Sequence, residues 1–130
     1  MVQKPMADNI IMLIIQLFKQ ANTVTENGLI IMNGLVNGCS EVLDIKEMCQ
    51  YLKHALEIKE KICTRMACGI ISDLAYGKPE QIKLYLDDYV PCLHELLRDN
   101  GIDRDIKIHA LRALADLALN CGEFFKREFL

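Results

Sequence analysis

Apolar residues recur at intervals of three and four nearly throughout the chain, which is the period of a helix with one buried face. No stretch alternates apolar and polar residues between turn signals as a half-buried strand would. The pattern predicts an all-α protein. A first helix runs Pro5–Ala21, with proline suited to a first turn. Thr25–Gly38 follows, with Thr25 as a cap. The third, Asp44–Glu57, opens on Asp44 with Glu47 three residues on, close to a capping box. The fourth, Lys59–Tyr76, is stopped by Gly77 and Pro79. The fifth, Gln81–Asp99, carries Pro91 inside its apolar pattern, where proline removes a hydrogen bond and kinks a helix. The sixth, Arg104–Asn120, is capped by Asp103, and a seventh begins at Glu123. Connections this short put consecutive helices antiparallel, as a bundle or a solenoid.

Internal repetition separates those two. The words GLIIMNGLV (28–36), ACGIISDLA (67–75) and ALRALADLA (110–118) align without gaps. Gly28, Ala67 and Ala110 coincide, as do Leu35, Leu74 and Leu117, at offsets of 39 and 43 residues. In the odd helices Phe18, Leu56 and Leu97 match at offsets of 38 and 41. Two helices repeating at about 40 residues point to an α-α superhelix of the HEAT or armadillo type, whose period is roughly 40–47. The units fall at about 5–38, 43–77 and 81–120, with a partial unit at 121–130. A hairpin of this kind cannot bury its apolar face alone; its neighbours cover it. Gly28, Gly34 and Gly69 sit inside helices, where glycine costs roughly 1 kcal/mol against alanine, so each calls for a packing reason.

Composition narrows the function classes. Of 130 residues 52% are apolar, which excludes disorder, and the net charge of −3 leaves no basic excess for nucleic acid. The acidic excess lies C-terminally: residues 66–130 carry 8 basic and 11 acidic side chains, against 7 and 7 before them. The apolar run Ile10–Ile15 is far short of the roughly 20 residues that cross a bilayer, so no membrane insertion is expected. Asp8 at its mouth argues against a signal peptide. The cysteines 39, 49, 63, 68, 92 and 121 form no Cys-x-x-Cys pair and sit in apolar runs, which suits free thiols in a reducing compartment. His54, His94 and His109 have no partner motif and no phosphate loop is present, so neither enzyme chemistry nor a cofactor or metal is expected.

The word YVPCLHELLRDN (89–100), with its internal proline and a leucine pair before an Asp-Asn turn, resembles a HEAT first helix, and IKIHALRALADL (106–117) resembles a second. Where that family often places arginine after a branched residue, this chain has Lys107 after Ile106, and Cys63-Thr64 in the preceding unit. Together GIISDLAYG (69–77), LDDYVPCLHELLRDN (86–100) and above all IHALRALADLALNCGEFFKREFL (108–130) resemble the importin-β (karyopherin-β) family, closest to the C-terminal half of its solenoid. ENGLIIMNGLVNGCSEVL (26–43) and MCQYLKHALEI (48–58) fit consecutive repeats of that region. Members are several-fold longer, so the resemblance implies a fragment, and the ending at Leu130 inside an apolar helix start agrees. It also implies a non-catalytic nuclear import receptor, shuttling between cytoplasm and nucleus. Its partners would be an importin-α-type adaptor or basic cargo on the concave surface, phenylalanine-glycine nucleoporins between outer helices, and the GTPase Ran, bound mainly by N-terminal and central repeats. The alternative is a HEAT or armadillo scaffold outside nuclear transport, of the phosphatase or vesicle-coat type.

Helix periodicity nominates a surface. If Ala110, Ala113, Leu114, Leu117 and Cys121 form the packed stripe of the sixth helix, positions 112, 115, 116 and 119 face away. The equivalents are Gly69, Ser72, Asp73 and Tyr76 in the second unit, and Ile30, Asn33, Gly34 and Asn37 in the first. In HEAT solenoids this side is concave, so Asn33, Asn37, Ser72, Asp73, Tyr76 and Asp116 are the candidates for holding a basic partner helix. Residues near Phe18, Leu56 and Leu97 would border nucleoporin slots, unless they are simply core. Uncapped apolar ends would also favour self-association through the first and last helices.

Overall fold

A computed structural model describes residues 4–129. Among them every regular element is helical. The main helices are α1 (Lys4–Ala21), α2 (Glu26–Cys39), α3 (Lys46–Glu57), α4 (Lys61–Gly77), α6 (Leu86–Arg98), α7 (Arg104–Asn120) and α8 (Gly122–Phe129). A single-turn α5 (Pro79–Ile82) and a 3-10 turn (Lys83–Tyr85) lead into α6, and a second 3-10 turn (Ser40–Val42) follows α2. Leu130, on which the truncation expectation turned, lies outside the described residues.

The helices form two layers. The second helices α2, α4 and α7 pack side by side, and the first helices α1, α3 and α6 line up behind them. α4 is in closer contact with α2 and α7 than α3 is with α1 and α6. Small side chains allow the approach: Ala67 of α4 and Ala110 of α7 are fully buried. Gly28 is buried as well, and its missing Cβ lets α2 close on the Phe18 ring of α1.

The repeat period is written into the contacts between the second and third units. Four hydrogen bonds join residues 40 apart: the Tyr89 hydroxyl to the Cys49 carbonyl at 2.8 Å, Lys59 to Asp99 at 2.6 Å, Arg65 to Asp105 at 2.9 Å, and Tyr76 to Asp116 at 3.2 Å. Lys53–Asp88 and Lys61–Asp103 add ion pairs at 3.5 and 3.3 Å. In all four of these ion pairs the cation is on the second unit and the aspartate on the third. Much of the C-terminal acidic excess therefore stitches repeats together rather than facing a partner. Lys107 takes no part in these four pairs.

Several boundaries differ from the periodicity, each for a local reason. α3 starts at Lys46, because Asp44 accepts from the Lys46 amide at 3.0 Å and makes a turn ahead of the helix instead of capping it. α4 starts at Lys61, capped by Glu60, whose carboxylate accepts from the Cys63 amide at 2.7 Å. Lys59 is left outside it in the left-handed region at φ 54°. The single fifth helix is divided: Pro79 opens a separate turn, and Tyr85 (φ −111°, ψ 10°) leaves helical geometry before α6. Pro91 lies inside α6 without ending it, at an exposed position four residues after the exposed Asp87. Leu97 is only half-buried; the core counterpart of Phe18 and Leu56 is Leu96, fully buried. Thr25 accepts from the Gly28 amide at 3.2 Å, and Asp103 caps α7 through the Asp105 amide at 2.8 Å. Gly34 and Gly69 have open space where a Cβ would stand, so packing explains only Gly28.

Candidate functional site

A groove of about 540 Å³ runs across the second-helix layer. Asn33 of α2 stands at one side, α4 supplies Arg65, Met66, Gly69, Ser72, Asp73 and Tyr76, and α7 supplies His109, Arg112 and Asp116. Helix geometry makes this a single surface. On α4 positions 65, 69, 72, 73 and 76 share a face, as do 109, 112 and 116 on α7. The bonds Arg65–Asp105 and Tyr76–Asp116, both 40 residues apart, show α4 and α7 running parallel in register along it.

Five of the six residues nominated from periodicity (Asn33, Ser72, Asp73, Tyr76 and Asp116) line this groove together. Asn37 does not; its amide donates back to Asn33, to the carbonyl at 3.1 Å and the side-chain oxygen at 3.2 Å. Ser72 is 7% exposed rather than turned to solvent, because α4 is flanked by helices on both sides. Its hydroxyl oxygen is buried and has no hydrogen-bond partner. Gly69 leaves the adjacent stretch of α4 bare.

The groove carries both signs of charge. Asp73 and Asp116 are joined by Arg65, Arg112 and His109. Arg65 is tied to Asp105, and His109 Nδ1 lies 2.8 Å from the Asp105 carbonyl. Arg112 and Asp73 make no ion pair among the described residues. The Asp116 charge beside Tyr76 raises the phenol above its usual range, so the hydroxyl stays protonated as the donor. Periodicity already places position 112 on the outward face, but a basic partner gives no reason to choose an arginine, so neither Arg112 nor Arg65 stood among the candidates. The signal was available, since Arg65 lies one and two turns before Gly69 and Ser72 on the same face.

Two clefts open on the outer layer. Phe18, Lys19, Asn22, Thr23, Gln50, Tyr51 and His54 line one of about 300 Å³ between α1 and α3. Leu56, Glu57, Lys59, Pro91, Cys92 and Glu95 line one of about 330 Å³ between α3 and α6. Phe18 and Leu56 border them while themselves 1% exposed, so they are core residues that floor the clefts, and Leu97 borders neither.

Among the described residues no group of three or more His, Cys, Asp and Glu side chains is arranged to hold a metal ion, and no helix is long and apolar enough to cross a membrane. The six cysteines are free thiols. Burial pushes Cys63 and Cys68 up to about 12 and Cys49 to about 11.

The chain was compared with known proteins. No curated relative and no solved structure matches it. A family model described as importin subunit beta-1-like, TPR repeats, matches residues 2–130. TPR units repeat at 34 residues, whereas the inter-repeat bonds here step by 40, the longer HEAT-type spacing. The chain is an all-α helical-repeat solenoid and belongs to the importin subunit beta-1-like family.

Proposed function

We propose that this chain serves nuclear protein import as a non-catalytic, protein-binding solenoid that moves between cytoplasm and nucleus. Its second-helix groove takes a helical segment of a basic cargo or an importin-α-type adaptor, and its outer-layer clefts take phenylalanine-glycine nucleoporin repeats. Ran is a partner of the whole receptor, and nothing in this reading asks these residues to touch it. The observation that supports the reading best is the convergence of Asn33, Ser72, Asp73, Tyr76 and Asp116, from three successive second helices, on one open groove. Carboxylates give charge-assisted bonds and steering, and the Asn, Ser and Tyr groups give directional ones. Membership of the importin-β type family supports a transport receptor over a phosphatase or vesicle-coat scaffold.

Calorimetric titration with a basic, adaptor-type helical peptide at two salt concentrations tests it. Salt-sensitive binding is expected, weakened about tenfold or more by Asp73→Lys with Asp116→Lys at unchanged helicity. Equal affinity of the double variant removes these carboxylates from the site.

A further inference from the structure

The order of charges along the groove restricts what fits it. With α4 and α7 parallel and offset by 40 residues, every groove residue can be placed on one axis. In α7 numbering Arg65 lies level with position 105, and His109 and Arg112 follow. Asp73 lies level with position 113, and Asp116 comes last. The two guanidiniums of the groove, Arg65 (paired with Asp105) and Arg112, precede its two carboxylates, Asp73 and Asp116, along this axis. The centres of the two groups are about six residues apart, roughly 9 Å at the helical rise. The helix dipoles add to the same polarity, positive at the N-terminal end. Arg112, Asp73 and Asp116 make no ion pair among the described residues, and the first two sit near the junction, beside Ser72 and the bare stretch at Gly69.

We infer that the groove selects a helical protein segment of mixed charge, carrying an acidic side chain for Arg112 and Arg65 and a basic side chain for Asp73 and Asp116, about two turns apart on one face. Seven residues is the same-face spacing nearest this separation, about 10 Å. A uniformly basic helix sets like charge against the guanidinium end, and like-charge juxtaposition is an effective discriminator between partners. This rests on the groove being the partner site proposed above, and it specifies the partner's charge pattern.

Labelled helical peptides on one neutral host sequence supply the test, read by fluorescence anisotropy on the 130-residue chain. One carries Glu and Lys seven residues apart, one carries Lys at both positions, and one carries Gln at both. The mixed peptide is expected to bind about tenfold more tightly than the double-Lys peptide. Arg112 is exposed and makes no ion pair among the described residues, so its variants keep the fold. Arg112→Gln should erase most of the preference, and Arg112→Glu should reverse it. Double-Lys binding as tightly as the mixed peptide, with no change of ranking in Arg112→Glu, overturns the charge pattern while leaving the groove as a partner site. Failure of every peptide to bind, alongside failure of the adaptor-type peptide, overturns both.

Discussion

Gly28 and Gly69 sit inside helices of the same layer, and alanine at the two positions should move stability in opposite directions. A Cβ on Gly28 stands 2.4 Å from Cε1 and 2.7 Å from Cζ of Phe18, more than 1 Å inside an ordinary carbon contact. The ring has little room to retreat: Phe18 is 1% exposed and its centroid lies 5.5 Å from that of Tyr51. Overpacking of this kind costs about 1–3 kcal/mol. The helix-propensity gain of alanine returns at most about 1 kcal/mol, so Gly28→Ala should destabilise by about 1–2 kcal/mol. At Gly69 nothing lies within 4 Å of the added Cβ, and the position is interior to α4. Only the propensity gain applies there, and Gly69→Ala should stabilise by about 0.5–1 kcal/mol. Urea unfolding of the two variants beside the parent reads the difference as midpoint shifts of opposite sign at constant slope. A midpoint for Gly28→Ala at or above the parent's would refute the Phe18 contact. A fall for Gly69→Ala would mean that another part of the protein covers the groove floor.

Four further outcomes follow from the geometry. Tyr89→Phe removes a fully buried bond to the Cys49 carbonyl and should cost about 1–1.5 kcal/mol in the same urea assay; an unchanged midpoint would show that this inter-repeat bond contributes nothing. Acid should loosen the stack. The Lys59 ammonium holds Asp99 below the ordinary carboxylate range, the Asp105 amide does so for Asp103, and the Cys63 amide for Glu60. Depressed carboxylates add stability that is complete above their unfolded values of 3.8 and 4.5 and is lost as pH falls through the folded ones. Melting temperature should therefore drop on acidification below about pH 4.5, less steeply in Asp99→Asn, and parallel curves would contradict this. Cys49, Cys63 and Cys68, held protonated by burial, should react with a thiol reagent at pH 8 only as fast as the fold opens; immediate labelling of all six cysteines would show the interior to be open. Met6, Leu13 and Leu17 on α1 and Ile108, Leu111 and Leu119 on α7 are exposed, so light scattering should give a mass above 14.8 kDa at high concentration, and a clean monomer would show that these faces tolerate water.

The fold was legible where one physical signal sufficed. α7 begins and ends where its periodicity and the Asp103 cap placed it, and the shared Gly28, Ala67 and Ala110 column is fully buried. Legibility failed where local chemistry competed. Asp44 bonded its own turn, Glu60 rather than an earlier residue capped α4, and Pro79 opened a turn of its own. In the groove, the facing-away rule located the α4 and α7 residues but took all three second helices to be equally exposed. It turned Ser72 outward although α4 is covered on both flanks. Composition located the acidic excess C-terminally but gave it no role, whereas Asp88, Asp99, Asp103 and Asp105 bind cations of the preceding repeat. Pairing across 40 residues is a property of stacking, and stacking is invisible to a reading made one helix at a time.

Amide chemical-shift mapping during titration with an adaptor-type helical peptide decides whether partners bind the second-helix layer. Shifts are expected at Asn33, Gly69, Ser72, Asp73, Tyr76, Arg112 and Asp116, with the outer residues Tyr51, Leu56 and Cys92 unmoved. Shifts confined to those outer clefts or to the exposed faces of α1 and α7, with the groove silent, would contradict binding at that layer.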